Sequence, residues 1–297
     1  MAIRIRTTEE HPHPVWEKLI SEFPVAEIQG FVFTCTDTEL LEATKAGDCR
    51  IPIQCIEAVE YDSTEEFIPE NIFSTNEWKN KINAARFFGS SLLLLSHMPK
   101  DDVLFKLNDV VSINESITFN LVMEFKNQAE FIEWWGSIKK LGQTKPTVEA
   151  KSRQALTVFD NVIERNGFSW GGNMDGFILN NHSNAVITTI EVRQSRSFLI
   201  EEYDPARFFS GTYSKGGDFN TWLPLVYLKK AYGIPIVLLT LSTKSGNRFG
   251  YTEVSSINHK RIFYQNDTPP TANITDDFAV FQAFLIALAK RNQNPRI

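Results

Sequence analysis

The chain has 297 residues, 42% of them apolar, which is enough for two domains or for one with a large elaboration. Its net charge of -6 divides unevenly: residues 1–145 hold 14 Lys and Arg against 23 Asp and Glu, residues 146–297 hold 16 against 13, a split that suits either a charged partner on one side or simply an acidic half. The apolar runs 90–96 and 234–241 are too short to span a bilayer, and MAIRIRTTEEHPHP lacks the apolar core of a signal peptide, so a cytoplasmic protein with no membrane partner is expected.

In chain order, residues 15–23 suit a short helix with Trp16, Leu19, Ile20 and Phe23 on one face. Residues 31–35 read as a strand, and 37–46 as a helix opened by Asp37-Thr38 and stopped by Gly47. Residues 51–61 alternate loosely enough for a strand, with Pro52 suggesting an edge. A helix over 76–88 precedes a continuous apolar strand, 91–97, which is expected to be buried on both faces. A further strand covers 117–125. The helix after it, 127–141, carries Phe131, Trp134, Trp135 and Ile138, aromatics at core spacing that could also stack bases. Cys35, Cys49 and Cys55 are too few for a disulfide framework and lack nearby histidines for zinc, so they read as reduced core residues. His97 ends its strand as a structural histidine. No phosphate loop, paired histidine ligands or nucleophile with a base marks this half.

A polar break falls at 142–146, dividing the chain into an acidic α/β domain, 1–145, and a second domain, 146–297. A helix is predicted from Thr147 to about Arg165, closed by Gly167. Two strand-forming runs, 176–179 and 185–190, then flank Asn180-Asn181-His182-Ser183-Asn184, residues that favour tight turns. In such a hairpin Asp175, at the open end of the first strand, lies beside Glu191, late in the second. Two carboxylates on adjacent strands are hard oxygen ligands that could share a magnesium ion with open positions left for phosphate. The ordinary alternative is an acid before a turn glycine and a Glu on a wet strand face. A flexible loop over 201–218, a helix over 219–232 and a buried strand over 236–241 follow. A second hairpin ends near Val254, and a final apolar helix covers 276–290.

Residues 147–241 thus run helix, short strand, Asp-bearing strand, Glu-bearing strand, helix, strand, with Tyr232-Gly233-Ile234-Pro235 joining the last two. That order resembles the PD-(D/E)XK nuclease superfamily, which includes restriction endonucleases. The resemblance implies a restriction-endonuclease-like mixed-sheet C-terminal domain beside an α/β N-terminal domain. Met174-Asp175 stands where the family has Pro-Asp, and Glu191-Val192-Arg193 where it has acid, any residue, lysine. By resemblance Asp175 and Glu191 are metal ligands for Mg2+, or Mn2+ in its place, with Glu164 fitting a third, helical acid better than Glu149. Arg193 departs from the family lysine: it can clamp phosphate but is a poor base, so Gln194, Lys229 or Lys230 are candidates for the missing role. Arg153, Arg196, Lys215 and Lys229 are candidate nucleic-acid contacts, each more simply read as ordinary solvated charge.

The function implied is metal-dependent phosphodiester hydrolysis of DNA, a Mg-dependent deoxyribonuclease of restriction or phage-defence type. The N-terminal half would choose the substrate or hold a homodimer or partner protein. The alternative is a catalytically inactive nuclease-fold protein acting as a nucleic-acid-binding or assembly subunit.

Overall fold

The structure, a computed structural model, describes residues 3–5, 13–47, 50–61, 68, 72–98, 101–139, 157–168, 172–209, 219–258 and 260–293. In chain order its elements are β1 (Ile3–Ile5), α1 (Pro14–Glu22), β2 (Val25–Phe33), α2 (Asp37–Ala46), β3 (Ile53–Tyr61), α3 (Thr75–Phe87), β4 (Leu92–His97), β5 (Phe105–Ile113), β6 (Ser116–Phe125) and α4 (Gln128–Lys139). There follow α5 (Val158–Arg165), β7 (Gly172–Leu179), β8 (Val186–Ser195), α6 (Phe219–Tyr232), β9 (Ile236–Ser242), β10 (Phe249–Ile257), β11 (Ile262–Tyr264), β12 (Ile274–Thr275) and α7 (Phe278–Gln293). The protein is mixed α/β and forms two compact units that interleave along the chain. The first takes Met1–Glu9, Ala26–Glu39 and Ile51–Met174; the second takes Glu10–Val25, Leu40–Arg50 and Asp175–Ile297. The break expected at 142–146 lies outside the described residues, as do Cys49 and the start of the helix expected from Thr147.

In the first unit β2 and β3 pair antiparallel, β3 and β4 pair parallel, and β4, β5 and β6 continue antiparallel, with β1 on the far end of β3. A parallel pair needs a crossover helix, and α3 supplies it. Ser74 caps that helix by accepting from Glu77 N while the Glu77 carboxylate accepts from Ser74 N, so two otherwise orphaned donors are satisfied. β3 therefore has neighbours on both sides. The edge reading of Pro52 is corrected: the proline stands just ahead of the strand, where no ladder hydrogen bond is required of it.

β5 is an addition to the predicted elements. It turns into β6 through Asn114 and Glu115, both at positive φ (47° and 71°), the backbone that a tight hairpin matching strand twist demands. The core of this unit joins Val32, Ile56, Ala58, Leu95, Phe105, Leu107 and Phe125 of the sheet to Phe131 and Trp135 of α4 and to Phe159, Val162 and Ile163 of α5. The α4 aromatics are core residues. Cys35 and Cys55 are buried, and His97 Nδ1 is 2.7 Å from Leu104 O.

The second unit is built on the hairpin of β7 and β8. α6 crosses from β8 to a parallel β9, and β10 returns antiparallel, bearing β11 and β12. The short strand expected between the helix and the Asp-bearing strand falls where residues 169–171 lie outside the described residues. One face of this sheet, with Ile178, Ile190, Val192, Val237, Leu239, Leu241, Phe249 and Tyr251, packs on Val15, Trp16 and Leu19 of α1 and on Phe278, Phe281, Leu285 and Leu288 of α7. Gly176 makes that contact feasible. A Cβ there would meet Trp16 Cη2 at 3.0 Å and Val25 Cγ1 at 3.2 Å. The opposite face lies under α6, whose run from Trp222 to Leu228 is buried throughout.

Candidate functional site

Alternation along β8 sends Ile190 and Val192 into the core and Thr189, Glu191, Arg193 and Ser195 to the other face. The hairpin pairs Gly176 with Ile190 and Phe177 with Thr189, so one further step of the same register sets Asp175 opposite Glu191. Asp175 is fixed there: its Oδ2 accepts from Val192 N at 2.7 Å. Glu191 is buried, with 6% of its surface exposed, and its Oε1 lies 2.8 Å from Arg193 Nη2. Arg193 in turn lies over the Trp222 ring of α6, its Cζ 5.4 Å from the centroid, a cation–π contact strengthened by partial desolvation.

The approach of Arg193 to Glu191 is an ion contact without hydrogen-bond alignment. Its Nε and Nη2 are buried and have no hydrogen-bond acceptor among the described residues. Thr189 Oγ1, one alternation before Glu191, is in the same state, and so is Thr240 Oγ1 on the residue paired with Arg193 across β8 and β9. Buried polar atoms normally find partners. Here several exceptions share one sheet face beside two carboxylates.

Two carboxylates and one guanidinium leave a formal net charge of -1, and both acids offer hard oxygen donors, so the set fits a divalent cation of the magnesium type. Among the described residues no group of three or more His, Cys, Asp or Glu could hold a metal. Two carboxylates suffice for magnesium only when waters and substrate oxygens complete the shell.

The other predicted site residues fall in different places. Glu164 is on α5, in the first unit, and its side chain lies outside the described residues, as do Glu149, Arg153 and Lys215. Gln194 alternates to the face of Val192, away from Glu191 and Arg193, which corrects it as a stand-in for the lysine. Lys229 is also corrected. Its Nζ donates to Val254 O at 2.5 Å and lies 3.5 Å from Glu253 Oε1, which ties it to β10. Burial holds its pKa below the ordinary lysine value, and Glu253, which also pairs with Arg291, opposes that shift. Lys230 is exposed at the helix end, and Arg196 is exposed one residue past β8.

Trp222, Thr189 and Thr240 escaped sequence reasoning. The alternation of polar Thr189, Glu191, Arg193 and Ser195 with apolar Ile190 and Val192 was the available signal for the threonine beside the acids. A shallow concavity bounded by Gln128, Ile132, Glu133, Gly136, Asn166 and Phe168 belongs to the first unit and contains none of these groups. Comparison of the chain with protein-family models, with curated proteins and with solved structures gave no match.

Proposed function

We propose that the second unit is a metal-dependent phosphodiesterase of the restriction-endonuclease-like class, acting on DNA with magnesium held by Asp175 and Glu191. The observation that carries this reading is the buried face of β8. Two acids stand beside a guanidinium whose Nε and Nη2 have no acceptor among the described residues, an arrangement suited to an anion approaching a bound cation. The hairpin and the parallel β8 and β9 joined by α6 agree with it in topology.

A magnesium ion bound there would supply Lewis-acid stabilisation and a more acidic water. Arg193, permanently charged and pre-oriented over Trp222, would turn its free N–H groups to the non-bridging oxygens of the scissile phosphate, where negative charge grows in the transition state. Arginine does not accept the proton of the attacking water, so that proton leaves to solvent or to the substrate phosphate. Asp175 is fixed by the Val192 amide, which limits the reorganisation needed when ligands assemble.

One observation favours the inactive alternative: Arg193 already neutralises Glu191, and Lys229 is committed to β10. Cleavage of plasmid and single-stranded DNA with Mg2+ or Mn2+, compared between wild type and Asp175→Ala, decides between them. Cleavage lost on substitution with DNA binding kept supports the enzyme; no cleavage by wild type under either metal supports the binding subunit.

A further inference from the structure

Beyond Ser195 the chain leaves β8 through a loop that is pinned inside and apolar outside. Ser195 Oγ accepts from Ser197 N at 3.2 Å and from Phe198 N at 2.9 Å. Phe198 O accepts from Ser242 Oγ at 2.7 Å, Ser197 O from Lys244 Nζ at 2.8 Å, and Ser245 Oγ from Ile200 N at 2.9 Å. Further on, Asp204 Oδ1 accepts from Tyr264 Oη at 2.5 Å and from Ala206 N at 3.0 Å.

The loop is thus tied to the ends of β8 and β9, yet Phe198, Leu199 and Phe208 remain 39%, 44% and 49% exposed. The aromatic rings touch one another. Phe198 and Phe208 have centroids 5.0 Å apart, and Tyr203 stacks on Phe208 at 6.0 Å with 30° between the planes. A clustered apolar surface on a fixed loop marks a binding site rather than local slack.

Its surroundings choose the partner. Arg196, Arg207 and Lys244 are exposed on the same loops, the exposed Glu201 engages Arg248, and Glu202 is a second exposed acid beside them. Cations around exposed ring faces suit a strand that brings phosphates and flat bases together. The place also fits, since ligands of open α/β sheets gather at the carboxyl ends of parallel strands. Five residues of extended chain separate Phe198 from Arg193, at most about 17 Å, a span of a few nucleotides.

We infer that Phe198, Phe208 and Tyr203 form a stacking platform for the bases of a single-stranded nucleic acid, with Arg196, Arg207 and Lys244 meeting its backbone. The inference deepens the phosphodiesterase reading, on which it rests for what happens to the strand next. Binding to the platform requires no metal.

The test is fluorescence anisotropy of a labelled oligothymidylate, about 20 nucleotides long so that it exceeds one binding site, with the full chain in EDTA. Wild type binds it, and more tightly than a duplex of the same length. Phe198→Leu/Phe208→Leu, which keeps apolar area but removes the rings, weakens binding at least about tenfold. Phe198→Tyr/Phe208→Tyr stays close to wild type. Absence of oligonucleotide binding by wild type, or equal binding by the Leu variant, overturns the platform. A Leu variant that alters the mass in solution while still binding the oligonucleotide overturns it too, in favour of a protein-docking surface. Oligonucleotide binding that depends on the rings, with no cleavage under either metal, would leave the platform standing and remove the phosphodiesterase reading alone.

Discussion

Arg193 answers two demands at once: Glu191 takes its charge at 2.8 Å, while its Nε and Nη2 are buried without hydrogen-bond acceptors among the described residues. Removing it withdraws the guanidinium from Glu191 and strips the phosphate clamp. Arg193→Ala is therefore expected to lower turnover about 100-fold, the scale set by losing one preorganised donor, while divalent-metal affinity holds or rises; steady-state cleavage and calorimetry on the same variant check both. His13 sets a second residue-scale expectation. Its Nδ1 accepts from Val15 N at 3.2 Å as the cap of α1, and its ring meets Phe249 edge-on. Burial holds its pKa below the ordinary 6.5, partly countered by the nearby backbone of Gly246 and Arg248. The unfolded chain then takes up the proton first as pH falls, so this contribution is complete above 6.5 and is lost on acidification, by at most about 1.4 kcal/mol at one pH unit lower. Glu57 runs the other way: burial raises its carboxyl pKa despite Lys81 at 3.3 Å, so its effect favours the fold at low pH and fades as pH rises through the folded value. Urea midpoints at pH 7 and pH 5.5 for wild type and for His13→Gln isolate the histidine, whose replacement should flatten the acid-side loss.

At the scale of elements, what the sequence displayed depended on whether a signal was local. The hairpin of β7 and β8, the crossover α6 and buried β9 were legible because period-two runs, turn residues and a helical stripe are written in adjacent positions. β5 was not: Asp109 interrupts the alternation begun by Phe105 and Leu107, and what makes it a strand is pairing with β4 and β6. The acids of the candidate site were legible as a pair, because the hairpin register follows from its turn. The Trp222 ring over Arg193 and the orphaned threonines were not, since they depend on how α6 lies on the sheet. Gly176 belongs to this scale as well. It looked like a turn glycine beside Asp175, yet its missing Cβ is what lets Trp16 and Val25 pack against β7. Gly176→Ala overpacks that contact and should cost about 1–3 kcal/mol, measured by urea unfolding.

For the whole molecule, the charge split between halves gave no hint that the units interleave. Val15, Trp16, Leu19 and Val25 come from the acidic end of the sequence yet lie in the core of the second unit. Burying each is worth about 1.5–3 kcal/mol, and together they rival the whole stability of a domain, about 5–15 kcal/mol. A fragment of residues 146–297 is accordingly expected to lose cooperative unfolding by circular dichroism, and a fragment that folds as sharply as the full chain would contradict the interleaving. No helix among the described residues is long and apolar enough to cross a membrane.

The claim on which the functional reading depends is that Asp175 and Glu191 together hold a divalent ion. Calorimetric titration of the full chain with Mn2+ tests it, comparing wild type with Asp175→Asn/Glu191→Gln, which keeps shape and removes charge. One dominant site in wild type, lost in the double variant while its urea midpoint stays near wild type, is the predicted result. Equal Mn2+ binding by both proteins, or none by either, would contradict it and leave the β7 and β8 acids as structural groups.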